Sequence, residues 1–174
     1  MDVRILTLVT NFNGTGPGHS AVAVGEMVFT FEDATNGWLQ SGSGWKKVKY
    51  ETYLGGNKHR PVLAQTIRGA SPDSVTKYVD RSIANDDDYL GSGVCSQQVA
   101  KAINYSLPHD IDFDPKGFDT PFGVYHCARR LKVVIGEEYT WPGRASLTVG
   151  VWASIVNKLK VDYPDAHKSM DFSR

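Results

Sequence analysis

Residues Gly91–Ile103, which read GSGVCSQQVAKAI, form the segment around which the rest of the chain is expected to fold. Its glycines indicate a loop, and the residues that follow have the spacing of a helix. Val99 and Ile103 follow Cys95 at helical spacing, so the thiol is predicted to lie on or beside the helix face that packs inward. The N-terminal end of a helix favours a thiolate over a thiol. Cys95 is therefore a candidate nucleophile. The alternative is a buried structural cysteine, because free cysteine is among the most buried residue types.

Length and composition indicate one domain with a core of its own. The chain has 174 residues, of which 19 are acidic and 19 are basic, so there is no electrostatic case for nucleic acid or an anionic membrane as a partner. Its two cysteines, Cys95 and Cys127, make at most one disulfide. The N-terminal residues lack the apolar run of a signal peptide, and no run approaches transmembrane length. We therefore expect a soluble protein that is made in the cytoplasm without a cleavable signal, with export by a dedicated secretion system left open.

The pattern along the rest of the chain predicts further strands and helices around this segment. A helix is expected to begin at Ser71-Pro72, an N-cap serine followed by proline, with an apolar stripe of Val75, Tyr78, Val79 and Ile83. The glycine-rich residues 11–18 lack the lysine and hydroxyl residue of a phosphate-binding loop. The other predicted elements are strands at 3–10, 46–50, 61–67 and 131–135, a short helix within 120–130, an amphipathic segment at 145–160 and a loose tail from 161.

A hairpin near the N-terminus brings an imidazole to a carboxylate. Residues 19–24 and 27–32 read as two strands joined by Gly25-Glu26, a two-residue turn of the kind that takes glycine first. In a regular hairpin with this turn, His19 lies directly opposite Glu32, where side chains come within hydrogen-bonding reach. Thr30 lies on the same face. The sequence therefore leaves open whether Glu32 or Thr30 orients the His19 ring.

A cysteine hydrolase uses the residue types that Cys95, His19 and Glu32 supply. That mechanism needs a thiolate, an imidazole that carries its proton to the leaving group, and a polar group that orients the ring. The competing hypothesis is a zinc site built from Cys95, His19, His126 and Cys127. Because no CxxC or HxxxH pair occurs among these residues, we expect no metal and no cofactor.

The order of these motifs resembles a known family. The runs Gly18–Val24 and Phe29–Ala34, followed by a helix and then by Tyr89–Val99, are similar to the circularly permuted branch of the papain-like NlpC superfamily. The resemblance covers roughly residues 15–105. It implies an α+β fold in which an antiparallel sheet packs against a cysteine-bearing helix. The whole chain, residues 1–174, would be a single catalytic domain.

The same resemblance implies a function. Cys95 would be the nucleophile, His19 the base and Glu32 the orienting group, and the Cys95 backbone N–H would form part of an oxyanion hole. Val94 departs from the family, whose members commonly have a polar residue before the cysteine, and it leaves the second oxyanion donor unidentified. We expect a hydrolase of amide bonds, with peptidoglycan stem peptides as substrate. It would suit an antibacterial effector that a cognate immunity protein holds in check. The alternatives are an enzyme that forms acyl thioesters from lipid and a domain that only binds.

Overall fold

The computed structural model describes most of the N-terminal four fifths of the chain. The described residues are 1–8, 18–32, 44–57, 62–87, 94–115 and 120–140. The predicted amphipathic segment at 145–160, the predicted tail and most of the glycine-rich residues 11–18 lie outside these ranges.

The described residues contain six strands and four helices. The strands are β1 (Val3–Leu8), β2 (His19–Val24), β3 (Met27–Glu32), β4 (Gly44–Lys49), β5 (Val62–Ile67) and β6 (Val134–Thr140). The helices are α1 (Tyr50–Gly56), α2 (Pro72–Ala84), α3 (Cys95–Ser106) and α4 (Pro121–Arg130). The strands form one sheet in the order β4-β3-β2-β1-β5-β6, and every neighbouring pair is antiparallel. The predicted α+β class is therefore confirmed. None of these helices has both the length and the apolarity needed to cross a bilayer.

The two faces of the sheet are covered by different helices. Because side chains alternate along a strand, Ile5, Val22 and Phe31 share one face, where they pack with the buried residues of α2, α3 and α4. We call this the three-helix face. Leu8 and Ala21 belong to the opposite face, which packs with Tyr53 of α1 and is called the α1 face. The sheet is thus apolar on both sides, as its almost continuous buried runs require.

Helix α3 lies against β2 and β3 on the three-helix face. Its inward residues include Val99 and Ile103, both with no exposed surface. Burial of such side chains stabilises the fold by about 1.5–3 kcal/mol each. The prediction that this helix packs through the Cys95 side is confirmed, since Cys95 is only 5% exposed.

The helix ends have the caps that their sequences predict. Ser71 Oγ accepts a hydrogen bond from the Ser74 backbone N–H at 3.2 Å, and Pro72 follows as the first residue of α2. Thr120 caps α4 in the same way. Helix α3 differs, because its N-cap is Val94, which has no side-chain acceptor. Gln97 makes only one of the two hydrogen bonds of a capping box, in which its side chain accepts from the Val94 backbone N–H at 3.0 Å.

Several predicted elements are confirmed at their predicted places. The hairpin forms β2 and β3, and Gly25 at its turn has a φ of +55° that favours glycine. The strand before α2, the helix after Ser71 and the helix after Thr120 are present as expected. The lysine-rich strand β4 lies at one edge of the sheet, where Lys47 and Lys49 are exposed.

The structure departs from the predicted local structure in three places. The strand predicted at 131–135 begins at Val134 instead, because a turn at Leu131 and Lys132, with φ of +56° at Lys132, separates it from α4. Helix α1 was not predicted, since the aromatic and glycine residues there resemble a loop. Ile83 is 46% exposed and does not belong to the buried stripe of α2, where Ser82 is buried in its place.

Candidate active site

His19 is the first residue of β2 and lies at one end of the sheet, between the last residues of two neighbouring strands. Leu8, the last residue of β1, is its partner on one side. On the other side, the β2–β3 register pairs Ala21 with Thr30, and its continuation places His19 opposite Glu32. The His19 side chain is only 13% exposed. The geometric prediction that the hairpin brings this imidazole to Glu32 is therefore confirmed.

Thr30 stands between the imidazole and the carboxylate. His19 Nε2 and Thr30 Oγ1 are 2.7 Å apart, and the Thr30 hydroxyl donates to Glu32 Oε1 at 2.9 Å. His19 Nε2 and Glu32 Oε1 are 3.8 Å apart, too far for a good direct hydrogen bond. Both candidate orienting groups are used: Thr30 contacts the ring, and Glu32 contacts Thr30.

The direction of these hydrogen bonds follows from the number of protons available. A threonine hydroxyl has one proton, and an ionised carboxylate only accepts. Since the Thr30 proton goes to Glu32, the Thr30 oxygen accepts from His19, and Nε2 must carry the ring proton. Nδ1 is then the basic nitrogen of neutral His19. This arrangement is the one that a base acting through Nδ1 requires.

A lysine completes this polar row, and sequence reasoning missed it. Lys46 on β4 pairs directly with Thr30, and its Nζ lies 3.5 Å from Glu32 Oε2. The two oxygens of Glu32 are thus divided, one facing Thr30 and the other facing Lys46. The sequence contained no usable signal for this contact, because residues 33–43 separate β3 from β4 and leave their register undetermined.

Cys95 lies towards the same end of the sheet as His19. The C-terminal end of α3 is fixed near the opposite end, where the Ser71 N–H donates to the Ser106 carbonyl at 2.9 Å, shortly after β5 ends at Ile67. A 12-residue α-helix is about 18 Å long, nearly the length of a six-residue strand. Helix α3 therefore runs alongside β2, and Cys95 is at the end where β2 begins.

The two side chains nevertheless belong to different faces. His19 alternates with Ala21 and lies on the α1 face, together with Thr30 and Glu32. Cys95 opens a helix that packs on the three-helix face. Contact between the Cys95 sulfur and the His19 ring stays a prediction, and it requires the two groups to meet past the end of the sheet.

Beside His19, on the three-helix face, two buried hydroxyls lie in the same part of the sheet. Thr7 and Ser20 pair directly across β1 and β2, and both have no exposed surface. Neither hydroxyl has a hydrogen-bond partner among the described residues. An unsatisfied buried hydroxyl costs stability, so these two groups are a local weakness of the core beneath the three helices.

The second thiol differs from a nucleophile in its surroundings. Cys127 is 2% exposed, and burial raises the pKa of its thiol above the ordinary value. The nearby Arg130 guanidinium, 3.5 Å from the Cys127 sulfur, lowers that pKa only in part. Cys127 is therefore kept as an inert thiol at neutral pH.

The proposed zinc ligands do not form a metal cluster in the described part of the chain. His126 and Cys127 are adjacent on α4, where His126 is exposed and Cys127 is buried. Successive helical side chains point about 100° apart, so these two do not converge on one ion. Within the described ranges, no group of three or more His, Cys, Asp or Glu side chains is placed to hold a metal.

Comparisons with known proteins do not assign a function, so the geometry of the site is the basis for one. No family model matches the chain, and neither the curated proteins nor the solved structures include a match to it.

Proposed function

We propose that the chain is a cysteine hydrolase that cleaves amide bonds, with the motif order of the permuted papain-like NlpC enzymes. Cys95 is the nucleophile and His19 is the base. Thr30 and Glu32 orient the ring. The observation that carries the proposal is the chain of contacts His19–Thr30–Glu32, which lies at the end of the sheet where α3 begins with Cys95.

The reaction uses both ring nitrogens of His19. Nε2 donates to Thr30, and Nδ1 takes the proton from the Cys95 thiol. The thiolate attacks the carbonyl carbon of the amide, and the Cys95 backbone N–H stabilises the negative oxygen that forms. Nδ1–H then protonates the leaving amine as the C–N bond breaks and a thioester remains. Water, deprotonated by Nδ1, hydrolyses the thioester and restores the thiol.

The environment of His19 supports its part in this scheme. A base must be held in one orientation, and the short contact to buried Thr30 does this. Thr30 is 1% exposed, so water does not compete for its hydroxyl. Glu32 is partly exposed and lies beside Lys46, and its carboxylate oxygen Oε1 accepts from the Thr30 hydroxyl.

Peptides of the peptidoglycan stem are the proposed substrate, and a cognate immunity protein is the proposed partner. Both proposals rest on the motif order alone. The test is digestion of purified sacculi with wild type, Cys95→Ala and Cys127→Ala, followed by mass spectrometry of the released fragments. Wild type and Cys127→Ala are expected to release the same fragments, and Cys95→Ala none. Identical profiles from wild type and Cys95→Ala would refute the substrate.

A labelling experiment tests the pairing of Cys95 with His19 without any substrate. Alkylation of Cys95 by iodoacetamide is followed in a Cys127→Ala background, with and without His19→Gln. We expect His19→Gln to slow alkylation by about tenfold or more at neutral pH, because the base that ionises the thiol is lost. The matched control is His109→Gln, since His109 is an exposed histidine away from the sheet end. An unchanged rate in His19→Gln would disprove the pairing.

One observation favours a second candidate, a domain that binds without catalysis. Cys95 is 5% exposed, which is also the condition of a structural core cysteine. In that case Cys95 is alkylated slowly, and His19→Gln leaves its rate unchanged. The labelling experiment therefore separates the two candidates.

A further inference from the structure

The row of polar side chains on the α1 face is longer than a base and its orienting group require. It runs from β2 through β3 to the edge strand β4, and its last member is Lys46. Lys46 and the neighbouring Lys47 differ in their surroundings. Lys46 faces Glu32 on the α1 face, whereas Lys47 pairs with Asp80 of α2 on the three-helix face.

The direction of every hydrogen bond in this row depends on the charge of Glu32. While Glu32 is ionised and in place, the Thr30 hydroxyl must donate to it and accept from His19 Nε2. If the carboxylate turns away or is replaced by a donor, the Thr30 hydroxyl is released. It then donates to His19 Nε2, and the ring proton moves to Nδ1.

We infer that Lys46 is a positioning residue that sets the tautomer of His19, acting through Glu32 and Thr30. Its ammonium group holds Glu32 Oε2 at 3.5 Å, and this leaves Oε1 facing the Thr30 hydroxyl. The carboxylate accepts hydrogen bonds without donating, and the cation beside it attracts its negative charge. Lys46 itself contacts neither His19 nor Cys95 in this scheme.

The size of the effect is limited by solvent. The side chains of Lys46 and Glu32 are 41% and 34% exposed, so their attraction is that of a surface ion pair. Loss of Lys46 is therefore expected to raise the ratio of Nδ1–H to Nε2–H tautomer about two- to fivefold. Glu32→Gln is expected to change that ratio more than about tenfold, because Lys46 attracts the amide oxygen and the amide N–H₂ then faces Thr30, donates to it and reverses the row.

The inference rests on the proposed function only where it links the His19 tautomer to catalysis. The tautomer itself can be measured without substrate. The experiment is long-range ¹H–¹⁵N correlation of the full chain labelled with ¹⁵N-histidine, at a pH where the imidazole is neutral. The variants are Lys46→Met, Lys46→Arg, Lys47→Met and Glu32→Gln. Melting temperatures confirm that each variant is folded.

The expected result is an Nε2–H ring in wild type, Lys46→Arg and Lys47→Met, with a larger Nδ1–H population in Lys46→Met and the largest in Glu32→Gln. A wild-type ring in the Nδ1–H form overturns the inference. So does a Lys46→Met spectrum that matches wild type. If the tautomer does not change as expected, the prediction for alkylation of Cys95 is unaffected. An unchanged alkylation rate in His19→Gln would instead remove the proposed function and leave the tautomer result standing.

Discussion

The same substitution is expected to have opposite effects at two buried threonines, because one hydroxyl has hydrogen-bond partners and the other has none among the described residues. Thr30 and Thr7 are 1% and 0% exposed. Valine has almost the same shape as threonine, so Thr→Val removes the hydroxyl with little change in packing. Thr30 loses its bonds to His19 and Glu32, whereas Thr7 loses no bond among the described residues.

The magnitudes follow from what each hydroxyl contacts. Hydrogen bonds to charged groups contribute about 1.5–3 kcal/mol and neutral ones about 0.5–1.5 kcal/mol, and the larger figure must be discounted because Glu32 is one third exposed. Thr30→Val is therefore expected to lower the free energy of unfolding by about 1–2 kcal/mol. Thr7→Val is expected to raise it by about 1 kcal/mol, since a buried unsatisfied hydroxyl is removed.

The assay is thermal or urea unfolding followed by circular dichroism. For a chain of this size, about 1 kcal/mol corresponds to a change of about 2–4 °C in melting temperature. Thr30→Val should also impair alkylation of Cys95, whereas Thr30→Ser, which keeps the hydroxyl, should restore both properties. Equal shifts of the same sign in Thr30→Val and Thr7→Val would refute the assignment of the two hydroxyls.

Three further predictions concern other parts of the molecule. Burial raises the pKa of Tyr78 to about 12 from 10.0, so the stability that its protonated phenol contributes is complete below pH 10 and is lost as the pH rises towards 12. Tyr78→Phe should therefore lose less stability than wild type over that pH range in alkaline unfolding curves, and curves that superimpose would disprove this. Ser71→Ala should cost about 1 kcal/mol in urea unfolding through loss of the α2 cap, while Ser71→Asp, which retains an acceptor, should remain close to wild type. Ile103→Ala, at a site with no exposed surface, should cost about 2–5 kcal/mol, whereas Ile83→Ala on the exposed side of α2 should stay within about 0.5 kcal/mol of wild type.

Elements with strong local signals could be predicted from the sequence. The hairpin was predictable because alternating strands flank a turn that needs glycine, and α2 was predictable because Ser71 and Pro72 mark its first turn. Helix α1 has no such signal. Lys49 at its N-cap makes no capping bond, and Tyr53 stabilises the helix by packing on the sheet. Contacts of that kind depend on the tertiary structure and cannot be inferred from seven residues.

The contents of the candidate site were predictable only within the hairpin. Equal distance from the turn was enough to place His19 near Glu32. The role of Thr30 as the group between them depends on side-chain rotamers, which the pattern does not determine. The face of His19 had a usable signal, because Ala21 and Val22 alternate small and large residues, and the larger valines pack under the helices. Lys46 comes next to Glu32 because β3 pairs with β4, and the sequence pattern does not determine the register of that pair.

The placement of His19, Thr30 and Glu32 on one hairpin separates their assembly from that of Cys95. A two-residue turn is the shortest connection between antiparallel strands, so the loop-closure entropy for His19, Thr30 and Glu32 is small, and such local pairs form early. Cys95 reaches this end of the sheet only when α3 docks, a contact of much greater sequence separation. A nascent or partly folded chain would therefore hold its base in place while its thiol is still distant. We expect the proposed pair of Cys95 and His19 to form only with that final docking step.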